Sequence, residues 1–438
     1  MKMNLAKLWV PSACAALLLA GAVFQAEART VRPSPDRAFE IAVIPDTQNY
    51  LSYRHQRIQG FPFDASEIFL GQMHYVRRNL RANGGQVAFV VSVGDVWEHP
   101  SLPIDPAHEA RGFRRVDSPL LDSNWGPTEQ VRTFEMPLAR RGYGLIAGLT
   151  PFGVAPGNHD YDAFWTDANN PPKPEMKTPD DMGVLHVGGL DNFVAVFGSQ
   201  SDFFRDKPWY VASHDRGADS AQVFEAGGYR FLNIALQFDP PNASLDWAKS
   251  VIARYPGTPT ILTVHNFLDN QGRRLSPRVI DSHVIDPQDN TPEMVWQKLV
   301  APNDQIFMVL SGHNAGQAFR IDDNNAGHKV YQIMADYQDR GQTLIEHGLK
   351  PGPFLGMGDG WMRMMRFDTS RAAPLVTVRT YSTHYRAYST DLPDYARWYK
   401  AKEKPHLSDA EFLKQDDFRF TMPDFIARFG APGRKCRC

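Results

Sequence analysis

Residues 154–162 read VAPGNHDYD. A Pro-Gly break ends an apolar run, and an amide, an imidazole and a carboxylate follow in succession at Asn158, His159 and Asp160. A turn accepts Asn and Asp for their local hydrogen bonds but has no such use for the histidine between them. Comparable groups recur. Asp46, Thr47 and Gln48 close the apolar run at 39–46, and Gly94 and Asp95 close the run at 86–95. His265 and Asn266 end the run at 259–266, and Gly312 and His313 end that at 306–314. Carboxylate, imidazole and amide oxygen together suit Mn, Fe or Zn better than Ca. A histidine beside such a site can deliver a proton at neutral pH.

The segments that deliver these groups read as strands. Each is short, apolar and bounded by turn residues, and α/β sheets bind ligands at the carboxyl ends of their strands. Between the first two, residues 66–82 place Ile68, Phe69, Met73, Val76 and Leu80 at helical spacing behind Ser66 as a cap. This β-α-β order predicts an α/β sandwich. Helices are also expected at 126–141, broken near Pro137, and at 244–254. The runs at 329–338, 361–368 and 375–382 read as a late β-rich layer, with the Met-rich WMRMM half-buried. Pro- and Asp-rich insertions occupy about 97–128 and 163–205.

The ordered set D-x-Q, GD, GNHD, H and GH, from Asp46 to His313, resembles the calcineurin-like metallophosphoesterase superfamily, in the branch with Gln in the first motif. The resemblance implies a four-layer α-β-β-α sandwich over 39–383 with long loop insertions. It implies two divalent metal ions: Asp46 and Gln48 on the first, Asn158, His265 and His313 on the second, and Asp95 bridging them. His159 would face the phosphate or leaving-group oxygen, with Asp160 steering its ring. Two cations about 3.5–4 Å apart clamp a phosphate and acidify a water, so the implied reaction is hydrolysis of a phosphate mono- or diester by a metal-bound hydroxide. Tyr161, Asp162 and Trp165 follow the third motif and are placed to line a substrate cleft. Asp336, Tyr337 and Gln338 end a late strand and can reach the site's edge, and His99 is a candidate extra ligand.

The pattern departs from the family at one position. The motif G-H-x-H here reads Gly312-His313-Asn314-Ala315, and alanine has no ligand atom. Asn314, Gln317 or water could complete the first site, or the first metal could bind only with substrate. Alternatively, the chain is a non-catalytic ligand-binding protein on the same fold.

The chain's bulk properties bound its class. The 438 residues carry 47 Lys and Arg against 49 Asp and Glu, a net charge of −2, which gives no electrostatic reason to expect nucleic acid. The expected partner is a phosphorylated small molecule or phosphodiester. The first 28 residues pair lysines with a short apolar stretch and an Ala-Glu-Ala exit, a cleavable signal peptide pattern with cleavage after Ala28. Residues 29–38 form a leader, and the mature chain is expected to be secreted or periplasmic without a membrane span. Residues 384–438 read as a peripheral extension. Of three cysteines, Cys14 lies in the signal peptide; Cys436 and Cys438 sit in the terminal tail, too few for a closed metal site. No Gly-x-Ser-x-Gly elbow is present, which disfavours a serine hydrolase.

Overall fold

The computed structural model describes residues 36–433; the signal peptide pattern and the two terminal cysteines lie outside them. The first sheet has the spatial order β16 (Ala387–Tyr388), β15 (Leu375–Ser382), β14 (Trp361–Asp368), β1 (Ala38–Ile44), β2 (Val87–Ser92) and β4 (Phe152–Val154), with β17 (Phe418–Thr421) on β15. The second has the order β12 (Gly316–Asp323), β13 (Lys329–Asp336), β11 (Ile306–Ser311), β10 (Thr260–Val264), β9 (Tyr229–Leu236), β8 (Asp219–Ala226) and β7 (Tyr210–His214). A third, small sheet joins β3 (Arg115–Val116), β5 (Ala163–Asp167) and β6 (Leu185–Gly188).

The two large sheets pack face to face. Along β1, Phe39, Ile41 and Val43 enter the space between sheets with Phe89 and Val91, where they meet Phe224, Phe231, Ile261 and Phe307 from the second sheet. Ala42 and Ile44 point the other way, toward Phe69, Met73 and Val76 of helix Ser66–Asn79. Both faces of this strand are therefore buried, which is why its sequence is continuously apolar. On the far side, Leu245, Ala248, Val251 and Ile252 of helix Asn242–Arg254 cover Leu232 and Leu262. The α/β sandwich expected from the sequence is the architecture observed.

Parallel pairing aims the site residues. β1, β2 and β4 are mutually parallel, as are β9, β10, β11 and β13. Their carboxyl ends deliver Asp46, Asp95, Asn158, His265, His313 and Asp336. β8 and β9 form a hairpin turned at Gly227 and Gly228, both with positive φ. That two-residue connection favours glycine.

Several sequence expectations need correction. Ser66 is the first helical residue rather than the cap, which is Ala65. The insertions are not wholly irregular, because β3 from one pairs with β5 from the other. Residues 384–433 are not peripheral: β17 extends the first sheet, and helices Tyr395–Glu403 and Asp409–Asp416 pack on Trp361 and Tyr337. The strand WMRMM is also not half-buried. β14 lies centrally, and Arg363 is fully buried.

The sequence hid this closure because its seam is charged. Asp416 accepts hydrogen bonds from Arg340, Arg363, Tyr337 and Tyr395. Arg340 also pairs two-pronged with Glu403, at 2.8 and 3.0 Å. Burial pushes the Asp416 carboxyl up, but the guanidinium groups of Arg340 and Arg363 outweigh it and hold it below the usual range. Its stabilising contribution is therefore complete above the ordinary carboxylate pKa of about 3.9 and is lost as pH falls through the lower folded-state value. Asp416→Ala leaves two buried guanidinium groups under-compensated and should cost about 3–5 kcal/mol at neutral pH, read by denaturant unfolding. A loss below about 1 kcal/mol would return the C-terminal segment to the periphery.

Candidate metal centre

Three glycines let the strand-end turns meet. Gly94 has φ +111°, and a Cβ there would strike the backbone of Gly157 and the His265 ring. At Gly157 a Cβ would lie 2.1 Å from Asp95 Oδ1, and at Gly312 it would lie 2.2 Å from Asp46 Oδ1. The G of each motif is thus the space occupied by another motif's carboxylate or ring. Asp95 and His313 adopt left-handed backbone, φ 50° and 70°, a strain that non-glycine residues hold where the surroundings over-determine it.

The side chains converge with their donor atoms free. Asp46 Oδ2 accepts from His313 N, at 3.0 Å, while its Oδ1 has no partner. His265 Nδ1–H donates to the Val93 carbonyl, at 2.8 Å. This leaves Nε2 unprotonated in the neutral ring; it lies 3.2 Å from Asp95 Oδ2 without a hydrogen bond. Gln48 Oε1, Asn158 Oδ1 and His313 Nε2 are likewise buried without partners. Asp95, His265 and His313 each bring a ligand atom within 4.8 Å of the others. Buried polar atoms are almost always satisfied. Five orphans among the six expected ligands fit a divalent cation centre, and the structure thus contains a His/Asp cluster able to hold a metal ion.

The sixth, Asp95, ties the halves together. Its Oδ1 accepts from His159 N and its Oδ2 from Gln48 Nε2. Burial pushes its carboxyl up, but His265 and His159 pull it below the usual range.

The residues near Ala315 do not turn their side chains to the cluster. Asn314 turns away to the Leu268 carbonyl, and Gln317 accepts from Arg340. Instead Gln338 Oε1 meets Gln48 Nε2. Gln338 is fixed by Asp336, which accepts from its backbone and side-chain nitrogens at 2.9 and 3.1 Å, and by Asn49 on its carbonyl. A half-turn of the Gln48 amide brings its oxygen to face Asp95 Oδ2 and Gln338 Oε1, an all-oxygen set that a cation can hold together. The Asp46 carboxyl is pushed well up by burial and then by Asp336 and Asp95. No Lys or Arg among the described residues pairs with any of these three carboxylates.

The expected helpers change roles. Asp160 does not steer the His159 ring. Its oxygens accept from the backbone of Val96, Trp97 and Gly157, so it locks two motif turns together. The ring is held by Glu98, whose carbonyl accepts from Nδ1 at 2.7 Å and whose Oε2 lies 3.7 Å away. Burial lowers the His159 pKa, and Asp95 and Glu98 more than restore it. Glu98 follows Asp95 by three residues, in a stretch that reads as loop, and grips the ring chiefly through its backbone carbonyl. Trp125, edge-on to His159 at 6.0 Å and to Phe354 at 5.6 Å, carried no signal.

Tyr161, Asp162 and Trp165 do not line a cleft. Tyr161 is buried with its hydroxyl on the Phe238 carbonyl, Asp162 caps the helix at Asp191 and Asn192, and Trp165 is 1% exposed. His99 gives Nδ1 to buried Glu135 at 2.7 Å and keeps Nε2 without a partner, but it is not among the residues whose ligand atoms converge with Asp95, His265 and His313.

No family model matches the chain. It is similar to the uncharacterized protein YvnB of Bacillus subtilis (strain 168), 26% identical over 252 residues. The match spans 55% of this chain and only 15% of that protein.

Asp336→Asn separates cation binding from folding. It should raise the melting temperature in chelator by relieving carboxylate crowding, and weaken Mn²⁺ or Zn²⁺ binding about 10–100-fold. Unchanged affinity in a metal titration would remove Asp336 from the centre.

Proposed function

We propose that the chain is a metal-dependent phosphoesterase of the calcineurin-like superfamily, with the four-layer α-β-β-α fold of that group, hydrolysing a phosphate mono- or diester. The observation that carries the reading is the convergence of orphaned donor atoms on Asp46, Gln48, Asn158, His265 and His313 around Asp95. These residues, with Gln338 in place of a histidine at Ala315, would hold two divalent ions. The ions would supply charge neutralisation for a phosphate and acidification of a water.

The chain's own residues account for the rest. A carbonyl can only accept, so the Glu98 bond keeps one hydrogen on His159 Nδ1; the imidazolium form, which Asp95 and Glu98 favour, carries a second on Nε2 to give to the leaving-group oxygen. Asp160 positions the turn that carries His159 and Asn158. Trp125 and Phe354 offer an aromatic wall beside that histidine, suited to an apolar or ring-bearing ester group. The intact His159–Glu98 pair favours an enzyme over a ligand-binding protein, since binding alone needs no fixed proton donor.

The test uses generic aryl phosphate mono- and diesters with added Mn²⁺. His159→Ala should lower kcat about 10²–10⁴-fold while bound metal stays constant. Asp95→Ala should lose both. Hydrolysis insensitive to both substitutions, or absent from the wild-type chain with every divalent metal, would overturn the enzyme reading.

A further inference from the structure

A second group of metal-type ligands lies away from the strand ends, where the two insertions meet. His108, on the short helix Pro106–Ala110, His186, on β6, and Asp286, after the helix Ser282–Ile285, each bring a ligand atom within 4.8 Å of the other two. His108 Nε2 lies 3.8 Å from Asp286 Oδ2. His186 Nε2 lies 3.1 Å from Asp289 Oδ2. The proposed function uses none of these residues.

Each ring is oriented as a ligand histidine is. His108 Nδ1 is bound to Asp105 Oδ2 at 2.7 Å, and His186 Nδ1–H donates to the Val187 carbonyl at 2.6 Å. Both rings thereby turn Nε2 toward the carboxylates. Metal-ligating histidines almost always give their other nitrogen to a carboxylate or carbonyl, which fixes tautomer and orientation. Asp105 is itself held by the backbone of Ala107 and His108. The Asp286 Oδ1 accepts from Gln288 N, which leaves Oδ2 to the cluster and to Arg111, whose guanidinium lies 2.5 Å away on a side chain 40% exposed.

Gly188 gives an independent mark of a built cradle. Its backbone is not left-handed, so conformation does not demand glycine there. A Cβ at 188 would lie 1.8 Å from Asp105 Oδ2 and 2.7 Å from His108 Nδ1. The residue's absent side chain is the room in which the His108–Asp105 pair sits. Trp165 walls the site, its ring 5.1 Å from His108 and 4.9 Å from His186.

We propose that His108, His186 and Asp286, with Asp289 beside them, form a structural zinc-type site that staples the two insertions to the segment 282–290. Two imidazoles with carboxylate oxygens select a borderline transition metal over Ca²⁺ or Mg²⁺. The staple has a clear mechanical use. The segments it joins are a one-and-a-half-turn helix, an edge strand of a three-stranded sheet and a loop, none with a large core of its own. No cysteine occurs in 36–433, so no disulfide can close them. β5, the partner of β6, begins three residues after Asp160, so the staple braces the sheet that continues from the Asn158–Asp160 turn.

The test is Zn²⁺ stoichiometry of the full chain by elemental analysis after chelator treatment, reloading and dialysis. It is run in a background with the strand-end centre disabled by Asp95→Asn, His265→Gln and His313→Gln. That protein should retain one equivalent of Zn²⁺, melt at higher temperature with it, and give a tetrahedral-type visible spectrum when reloaded with Co²⁺. Adding His108→Gln, on the short helix Pro106–Ala110, should abolish all three. If the disabled background does not fold, the same comparison is made between wild type and His108→Gln alone, where one equivalent should be lost. Retention of no metal by the background, or equal metal with and without His108→Gln, would overturn the proposal.

Discussion

Three carboxylates, Asp46, Asp95 and Asp336, are buried together where the parallel strands of two sheets end, and no lysine or arginine among the described residues answers them. Much of the surrounding structure follows from this constraint. Burying like charges costs stability, so the backbone supplies what compensation it can: the His313 amide on Asp46, the His159 amide on Asp95 and the Gln338 amide on Asp336. Gln48 Nε2 on Asp95 and Gln338 Nε2 on Asp336 add side-chain donors, while Asp46 Oδ1 and the nearby donor atoms of Gln48, Asn158, His265 and His313 stay unpartnered. An arrangement that is costly for the bare chain is the arrangement a divalent cation stabilises, because binding free energy is then recovered as folding free energy.

The rest of the molecule serves to hold those turns. Asp160 binds the 95–97 turn to the 157–160 turn, and Glu135 gathers Tyr53, Glu98 and His99 with both oxygens. The C-terminal helices reach the site through Arg340, two residues beyond Gln338, which they clamp with Glu403 and Asp416. The insertions build a small sheet on the residues following His159. Function and fold thus share the same loops, and a change in a distant helix can be felt at the centre.

The strand ends are legible in the chain because each apolar run closes on a ligand-type residue, directly after a glycine at Asp95, Asn158 and His313. This pattern found Asp46, Gln48, Asp95, Asn158, His265 and His313 and the sheets behind them. It failed wherever a partner came from a different part of the sequence. Glu98 holds His159 mainly through its carbonyl, which any residue type provides. Gln338 meets Gln48 because the β12–β13 hairpin returns the chain to Asp336, opposite Gly316. Asp416 lies in a segment that reads as peripheral and Arg363 in a strand that reads as half-buried, and only their pairing, with Arg340, accounts for their burial. Tyr161, Asp162 and Trp165 were misjudged because adjacency to a motif says nothing of direction: the chain turns inward after Asp160.

The proposed function requires one cluster of side chains to hold two divalent ions within reach of a shared carboxylate. Electron paramagnetic resonance of the full chain loaded with Mn²⁺ and dialysed tests it most directly. The expected result is an exchange-coupled Mn pair, which Asp95→Asn reduces to isolated ions or none. A spectrum of isolated Mn²⁺ alone at saturation, or no retained Mn²⁺, would contradict it.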